Sequence, residues 1–259
     1  MTPGELLDRA AAAPALLLAT DFDGTLAEIV PSPEAARAAP GALEALGRLS
    51  GAPGVHVAIV SGRSIADLSP RTAGLDGVWR VGEHGAQIAE PGGARIQEAA
   101  VPADALDELE RVASSIAAYI PGVRVERKRS ALAVHWRGVA EQDRGAALAA
   151  LGSWAEDARR AGLAVLEGRS VHEARGADQD KARALARVLT ALPAGTTLIY
   201  AGDDTTDEPA IALARERGGV GVYVASAERP SSGVTADLVL EGPGAWVALL
   251  AELAERRHG

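Results

Sequence analysis

The stretch Leu16-Leu17-Leu18-Ala19-Thr20-Asp21-Phe22-Asp23-Gly24-Thr25 decides the fold, because an apolar run ends there in two aspartates one residue apart and a Gly-Thr turn. A short apolar run bounded by a turn is the pattern of a buried strand. Alternate residues of a strand face one way, but at its carboxyl end the chain can curl so that Asp21 and Asp23 approach a single ligand. One carboxylate can then attack phosphorus while the other moves a proton, which is the equipment of phosphoryl chemistry. A surface turn rich in Asp and Gly is the competing reading.

Working outward, the runs 15–20, 55–60, 197–201 and 220–224 read as buried strands of one parallel sheet. Helical spacing lies between them, at Leu43, Leu46 and Leu49 after Pro40, and at Leu185, Val188, Leu189 and Leu192 after Lys181. Strands alternating with helices indicate a doubly wound α/β fold. Over 102–175 the pattern changes. Leu106, Leu109, Val112, Ile116 and Ile120 mark a helix, followed by alternating strands at 123–128 and 132–137. Ala147, Leu148, Leu151, Trp154, Ala155 and Ala158 mark a second helix, followed by short strands at 163–166 and 170–175. The expectation is a core of residues 1–100 and 176–259, with an αββαββ cap at 101–175 inserted as a small α+β domain. The cap reads as a lid hinged at 98–103 and 174–178.

The 259-residue length suffices for a core domain carrying a smaller one. The absence of cysteine excludes disulfides, thiolate metal sites and cysteine nucleophiles, so a metal must sit on oxygen or imidazole. A net charge of −9 argues against a nucleic-acid or anionic-membrane surface. No run reaches the roughly 18 apolar residues of a membrane span. The N-terminus has acidic residues before a short apolar run, a poor signal peptide, so the cytoplasm is the expected compartment. A monomer is the expected state.

Three further motifs sit where core strands should end, which is where open α/β sheets build their sites. Ile59-Val60-Ser61-Gly62-Arg63 can hold phosphate oxygens on the Ser61 hydroxyl and backbone N–H groups, or can simply cap a helix. Asp180-Lys181 opens a helix after the insert, where an ammonium could neutralise a carboxylate and an incoming phosphate. Gly202-Asp203-Asp204-Thr205-Thr206-Asp207-Glu208 concentrates carboxylates that would repel one another unless a cation is bound. Oxygen ligation beside a phosphate favours Mg²⁺. An acidic first turn, favourable to a helix dipole, is the plainer alternative.

In this order, DFDGT, SGR, the Lys181 site and GDDTTDE resemble the four motifs of the haloacid dehalogenase-like phosphatase superfamily. The resemblance implies that Asp21 is the nucleophile and Asp23 the general acid/base. It also implies that Ser61, Gly62 and Lys181 hold phosphate, and that Asp203 binds Mg²⁺ with Asp21 and the Asp23 carbonyl, supported by Asp204 and Asp207. Asp rather than Thr at position 23 favours hydrolysis, since a Thr could not activate water.

The cap must select the ester. Glu126 and Lys128 lie on one face of a strand and Val125 and Arg127 on the other, a polar face suited to sugar hydroxyls or an ordinary solvated one. The stretch VERKRSALAVHWR, with GEHGAQ at 82–87 and GDDTTDE, resembles the trehalose-6-phosphate phosphatase family over nearly the whole chain. That resemblance implies a C2B-type cap and contacts from Glu126, Lys128 and Glu173 to the distal glucose, with His135 and Arg137 nearby. Glu83 and His84 would stand at the entrance. His135 could equally be a packed strand residue, and His84 a loop-ordering one. Ala131, Trp136, Ala182 and Gly176 depart from the family's usual residues, which leaves a related disaccharide or pseudo-disaccharide phosphate open. A phosphomutase and a non-catalytic sugar-phosphate sensor are the rival classes.

Overall fold

The computed structural model describes residues 1–30, 32–93, 96–98, 101, 103–128, 130–168, 170–177, 179–226 and 233–258. Of the expected hinges, Ala99, Ala100, Pro102 and Asp178 lie outside these residues, as does Arg129 of the cap motif. The chain divides into two compact units, Met1–Glu98 with Asp180–Gly259, and Ala99–Gln179.

The first unit begins with α1 (Pro3–Ala12), β1 (Leu16–Asp21), α2 (Ala42–Gly51), β2 (Val55–Val60), α3 (Ile65–Arg71) and β3 (Val78–Gly82). It continues through β4 (Gln87–Ala89) and β5 (Ile96–Glu98). The second unit holds α4 (Ala103–Tyr119), β6 (Arg124–Arg127), β7 (Ala131–His135), α5 (Arg144–Arg160), β8 (Leu163–Gly168) and β9 (Val171–Gly176). The chain then returns to the first unit as α6 (Lys181–Thr190), β10 (Thr197–Gly202), α7 (Glu208–Glu216), β11 (Val220–Ala225), β12 (Leu238–Glu241) and α8 (Gly242–His258).

The first unit is the expected doubly wound α/β fold. Its eight-stranded sheet runs β12-β11-β10-β1-β2-β3-β4-β5. The six strands from β12 to β3 are parallel, and β4 and β5 add an antiparallel edge. Strand β1 shows why both faces need cover: all its residues are buried, with Leu16 and Leu18 in one apolar cluster and Leu17 and Ala19 in the other. The first cluster includes Leu6 of α1, Leu46 of α2 and Leu250 of α8; the second includes Leu185 and Val188 of α6 and Ile211 of α7. A strand covered on both sides reads as a continuous apolar run rather than an alternation, which is why it was legible. The polar side chain of Thr20, next to the strand's end, is satisfied: Trp246 Nε1 donates to Thr20 Oγ1 at 3.0 Å.

The second unit is a four-stranded antiparallel sheet, β6-β7-β9-β8. Leu132, Val134, Leu163 and Ala174 form one core with Leu106 and Leu109 of α4 and Leu151 and Trp154 of α5. Burying each of the Leu and Val side chains contributes about 1.5–3 kcal/mol. Trp154 is fully buried and donates its indole N–H to Leu109 O at 3.0 Å. On the face away from this core, Glu126, Ala133, Glu173 and Leu166 stand in register across the four strands. No described helix is long and apolar enough to cross a membrane.

Candidate active site

Strands β10, β1 and β2 are adjacent, with Thr20 opposite Ala201 and Asp21 opposite Val60. The loops that follow them therefore leave the sheet at the same end. After Asp21 the chain folds back, with Leu26 and Ala27 N–H donating to Phe22 O at 3.0 and 2.8 Å and Gly24 N–H donating to Ala27 O at 2.7 Å. Gly24 has φ +91°, and a Cβ there would lie 2.1 Å from Asp203 Oδ2. Only glycine permits both that backbone and that approach. Thr25 Oγ1 donates to Asp203 Oδ1 at 3.3 Å, joining the β1 loop to the β10 loop.

Lys181 enters from the first turn of α6. Asp180 caps this helix, accepting Arg183 N–H at 2.7 Å, and so sets where the helix begins. The Lys181 ammonium donates to Asp21 Oδ1 at 2.6 Å and Asp207 Oδ1 at 2.7 Å. Tyr200 OH also donates to Asp207 Oδ1, while Asp207 Oδ2 accepts the N–H groups of Asp203 at 3.2 Å and Asp204 at 3.0 Å. Burial pushes the Asp21 carboxyl well above the ordinary aspartate range; Lys181 opposes that, and Asp207 and Asp203 add to it. For Lys181, burial works against the ammonium, but the carboxylates of Asp207 and Asp21 outweigh it and hold the group above the ordinary lysine value.

Carboxylate oxygens of Asp21, Asp203 and Asp207 lie within 4.8 Å of one another, all buried. An all-oxygen, anionic donor set fits a hard divalent cation such as Mg²⁺. Asp207 already accepts four hydrogen bonds, the full capacity of a carboxylate. These bonds organise the loop and hold Lys181, and Asp21 and Asp203 could ligate a cation. Asp204 is turned elsewhere: its carboxylate caps the following turn through Thr205 N–H at 2.7 Å.

Ser61 is buried at the end of β2, and its Oγ accepts Arg63 N–H at 3.1 Å. A Cβ on Gly62 would lie 2.5 Å from His84 Nε2, so the His84 ring stacks directly over the expected phosphate loop. Glu83 and His84 hold left-handed backbones, φ 47° and 53°, a strained pair that the Glu83 N–H to Arg63 O bond (2.8 Å) and the His84 N–H to Ser61 O bond (3.0 Å) keep in place. Asp23 points to Arg63, accepting Nε at 2.7 Å on Oδ2 and Nη2 at 2.7 Å on Oδ1.

In the second unit, Glu126 pairs with Ala133 and Ala133 with Glu173 across the sheet, which puts both carboxylates on one face. Lys128 Nζ donates to Glu173 Oε2 at 2.5 Å, and His135 Nε2 meets Glu126 Oε2 at 2.8 Å. The His135 bond holds Glu126 below the ordinary glutamate value, against its burial. On the opposite face Val125 joins the apolar core and Arg127 pairs with Asp107 and Glu110 of α4. Arg137 lies exposed beyond the end of β7. Two residues went without a role in the sequence reading, Arg63 and Tyr200. Tyr200 did leave a signal, a hydroxyl set in a buried strand two residues before Gly202-Asp203, since buried tyrosine hydroxyls find partners.

The trehalose-phosphatase family model matches residues 19–243. The trehalose-phosphate phosphatase of Mycobacterium tuberculosis is 39% identical over 244 residues, covering 91% of this chain and 59% of that protein. This chain thus spans about three-fifths of that relative's length. The Candida albicans trehalose-6-phosphate phosphatase C-terminal domain superposes with TM-score 0.85 at 23% identity, covering 98% of each chain, a likeness of fold. The Aspergillus fumigatus trehalose-6-phosphate phosphatase gives TM-score 0.75 at 25% identity, again covering 98% of each. On the extent of the family match and the identity to its relatives, the chain belongs to the trehalose-phosphatase family.

Proposed function

We propose that this protein is a phosphomonoesterase that releases trehalose and inorganic phosphate from trehalose 6-phosphate. The observation that carries the chemistry is the buried Lys181 ammonium bridging Asp21 and Asp207 beside Asp203, a nucleophile and its charge balance held at the strand ends. Membership of the family and the polar face of the cap sheet support the substrate.

In the first step the Asp21 carboxylate attacks phosphorus, the bond from phosphorus to the ester oxygen breaks, and Asp23 gives that oxygen its proton. In the second, water attacks the phosphorus of the aspartyl phosphate, Asp23 takes the water proton, and the bond to Asp21 breaks to release phosphate. Lys181, the Ser61 hydroxyl and the Gly62 N–H hold the phosphoryl oxygens. Asp21, Asp203 and the Asp23 carbonyl would hold a Mg²⁺, which would supply neutralising charge for the phosphoryl oxygens. Glu126, Lys128 and Glu173 of the cap read the sugar hydroxyls, with the cap acting as a lid. Phosphorylated sugars are charged and stay where they are made, so the cytoplasm is the compartment proposed.

The test is phosphate release with Mg²⁺ across mono- and disaccharide phosphates, with Asp21→Asn as the blank. A preference for trehalose 6-phosphate that Lys128→Ala weakens at least tenfold more than it weakens a small aryl phosphate is the expected result. An active Asp21→Asn enzyme would refute the mechanism; a wild-type preference for another ester would refute the substrate.

A further inference from the structure

Asp23 stands in an unusual setting for a group that must hand a proton to a precise atom. It follows the strand rather than lying in it, on a turn, and its side chain is 40% exposed. Left alone, such a carboxylate would sample several rotamers. Arg63 removes that freedom. Its Nε and Nη2 both reach Asp23, each at 2.7 Å and each to a different oxygen, so the planar fork sets the plane of the carboxylate as well as its position.

The arginine is itself held on every side. Its Nη1 donates to Asp67 Oδ2 at 2.7 Å, and its guanidinium lies 5.8 Å from the centre of the buried Phe22 ring. Asp67 in turn accepts Arg71 Nε at 3.2 Å and Nη2 at 2.9 Å on its other oxygen. Arg71 is tied by Nη1 to Ala36 O at 2.8 Å and Glu34 O at 3.2 Å. At the backbone, Arg63 N–H donates to Ser61 Oγ and Arg63 O accepts Glu83 N–H. The chain of contacts runs from α3 to Asp23 through side-chain ion pairs at each step.

We infer that Arg63, anchored by Asp67, is a positioning residue that aims the Asp23 acid/base at the reacting oxygen. The inference rests on the hydrolase reading above. A misplacement of about 1 Å costs on the order of a hundredfold in a proton-transfer step, and a lysine at position 63 keeps the charge but cannot make the fork.

A staple that merely joined two loops would affect all substrates alike, and this separates the roles. Expulsion of a sugar alkoxide needs a proton from Asp23, whereas p-nitrophenolate leaves as an anion without one. The value of kcat/KM reports only the steps through departure of the leaving group. For Arg63→Ala and Arg63→Lys, kcat/KM on trehalose 6-phosphate should fall about a hundredfold, and on p-nitrophenyl phosphate less than about tenfold. On the aryl ester kcat should fall further than kcat/KM, with a burst of nitrophenolate, because Asp23 also serves the water step. Asp67→Asn should show the same split, smaller. Equal losses on both esters, or no loss on either, overturn the inference; a wild-type kcat/KM for Asp67→Asn on both esters overturns the anchoring. Arg63→Lys decides the matter if Arg63→Ala does not fold. Wild-type protein inactive on both esters would bring down the hydrolase reading and this inference with it.

Discussion

Replacing Lys181 by Met keeps the length of the side chain and removes its charge. In the native protein that ammonium is 3% exposed and donates to two carboxylates, at 2.6 and 2.7 Å. Without it, the buried oxygens of Asp21, Asp203 and Asp207 remain within 4.8 Å of one another and one positive charge short. The least costly relief is to take up a proton among the three carboxylates. Holding an aspartate of ordinary value 3.8 protonated at pH 7 costs about 4.4 kcal/mol, at about 1.36 kcal/mol per pH unit. Breaking a buried ion pair costs about 3–5 kcal/mol, which agrees. The sign follows from linkage: a carboxyl whose folded value is raised loses stability as pH climbs from its unfolded value, so the deficit shrinks as pH falls. It should be about 4 kcal/mol at pH 7 and about 1.6 kcal/mol at pH 5. Urea unfolding of both proteins in EDTA at pH 5, 6 and 7 reads this directly. A deficit below about 1 kcal/mol at pH 7, or one that does not change with pH, would refute the charge balance described for the site.

Three further outcomes are expected. Mg²⁺ at a hundredfold excess over its dissociation constant should raise the melting temperature by about 5–10 °C, and Asp203→Asn should abolish the rise while Asp204→Asn keeps it; calorimetry with and without EDTA checks both. Tyr200→Phe removes one of four donors to Asp207 and should cost about 1.5–3 kcal/mol in urea unfolding, since the bond is to a charged group. Gly62→Ala places a Cβ 2.5 Å from His84 Nε2 and should displace the ring; adding His84→Ala should recover stability, a coupling of about 0.5–3 kcal/mol in a double-mutant cycle. Strict additivity of those two substitutions would show that the ring does not crowd the loop.

Much of the architecture is local and was therefore legible in the chain. The run from Leu16 to Ala19 is apolar at every position because β1 is covered on both faces. The cap's two helices carry their own periodicity, since each turns one apolar stripe to the core. The acidity of 203–208 announced a charged loop on composition alone. The short strands β4 and β5, three residues each, carry too little pattern to read, and they form only because β3 offers an edge.

What each acidic residue does was decided by tertiary structure. Asp21 and Lys181 are 160 residues apart, and only the parallel register of β10, β1 and β2 and the Asp180 cap of α6 bring them within 2.6 Å. Asp203, Asp204 and Asp207 share one motif, yet one lies beside Asp21, one caps a turn, and one spends its oxygens on Lys181, Tyr200 and two backbone N–H groups. The fork from Arg63 to Asp23 joins the loops after β2 and β1, across 40 residues. Strand and helix follow from near-neighbour patterns of polarity, which a sequence displays. Which oxygen faces which donor depends on the packing of distant elements to within a fraction of an ångström, and that exists only once the sheet is assembled.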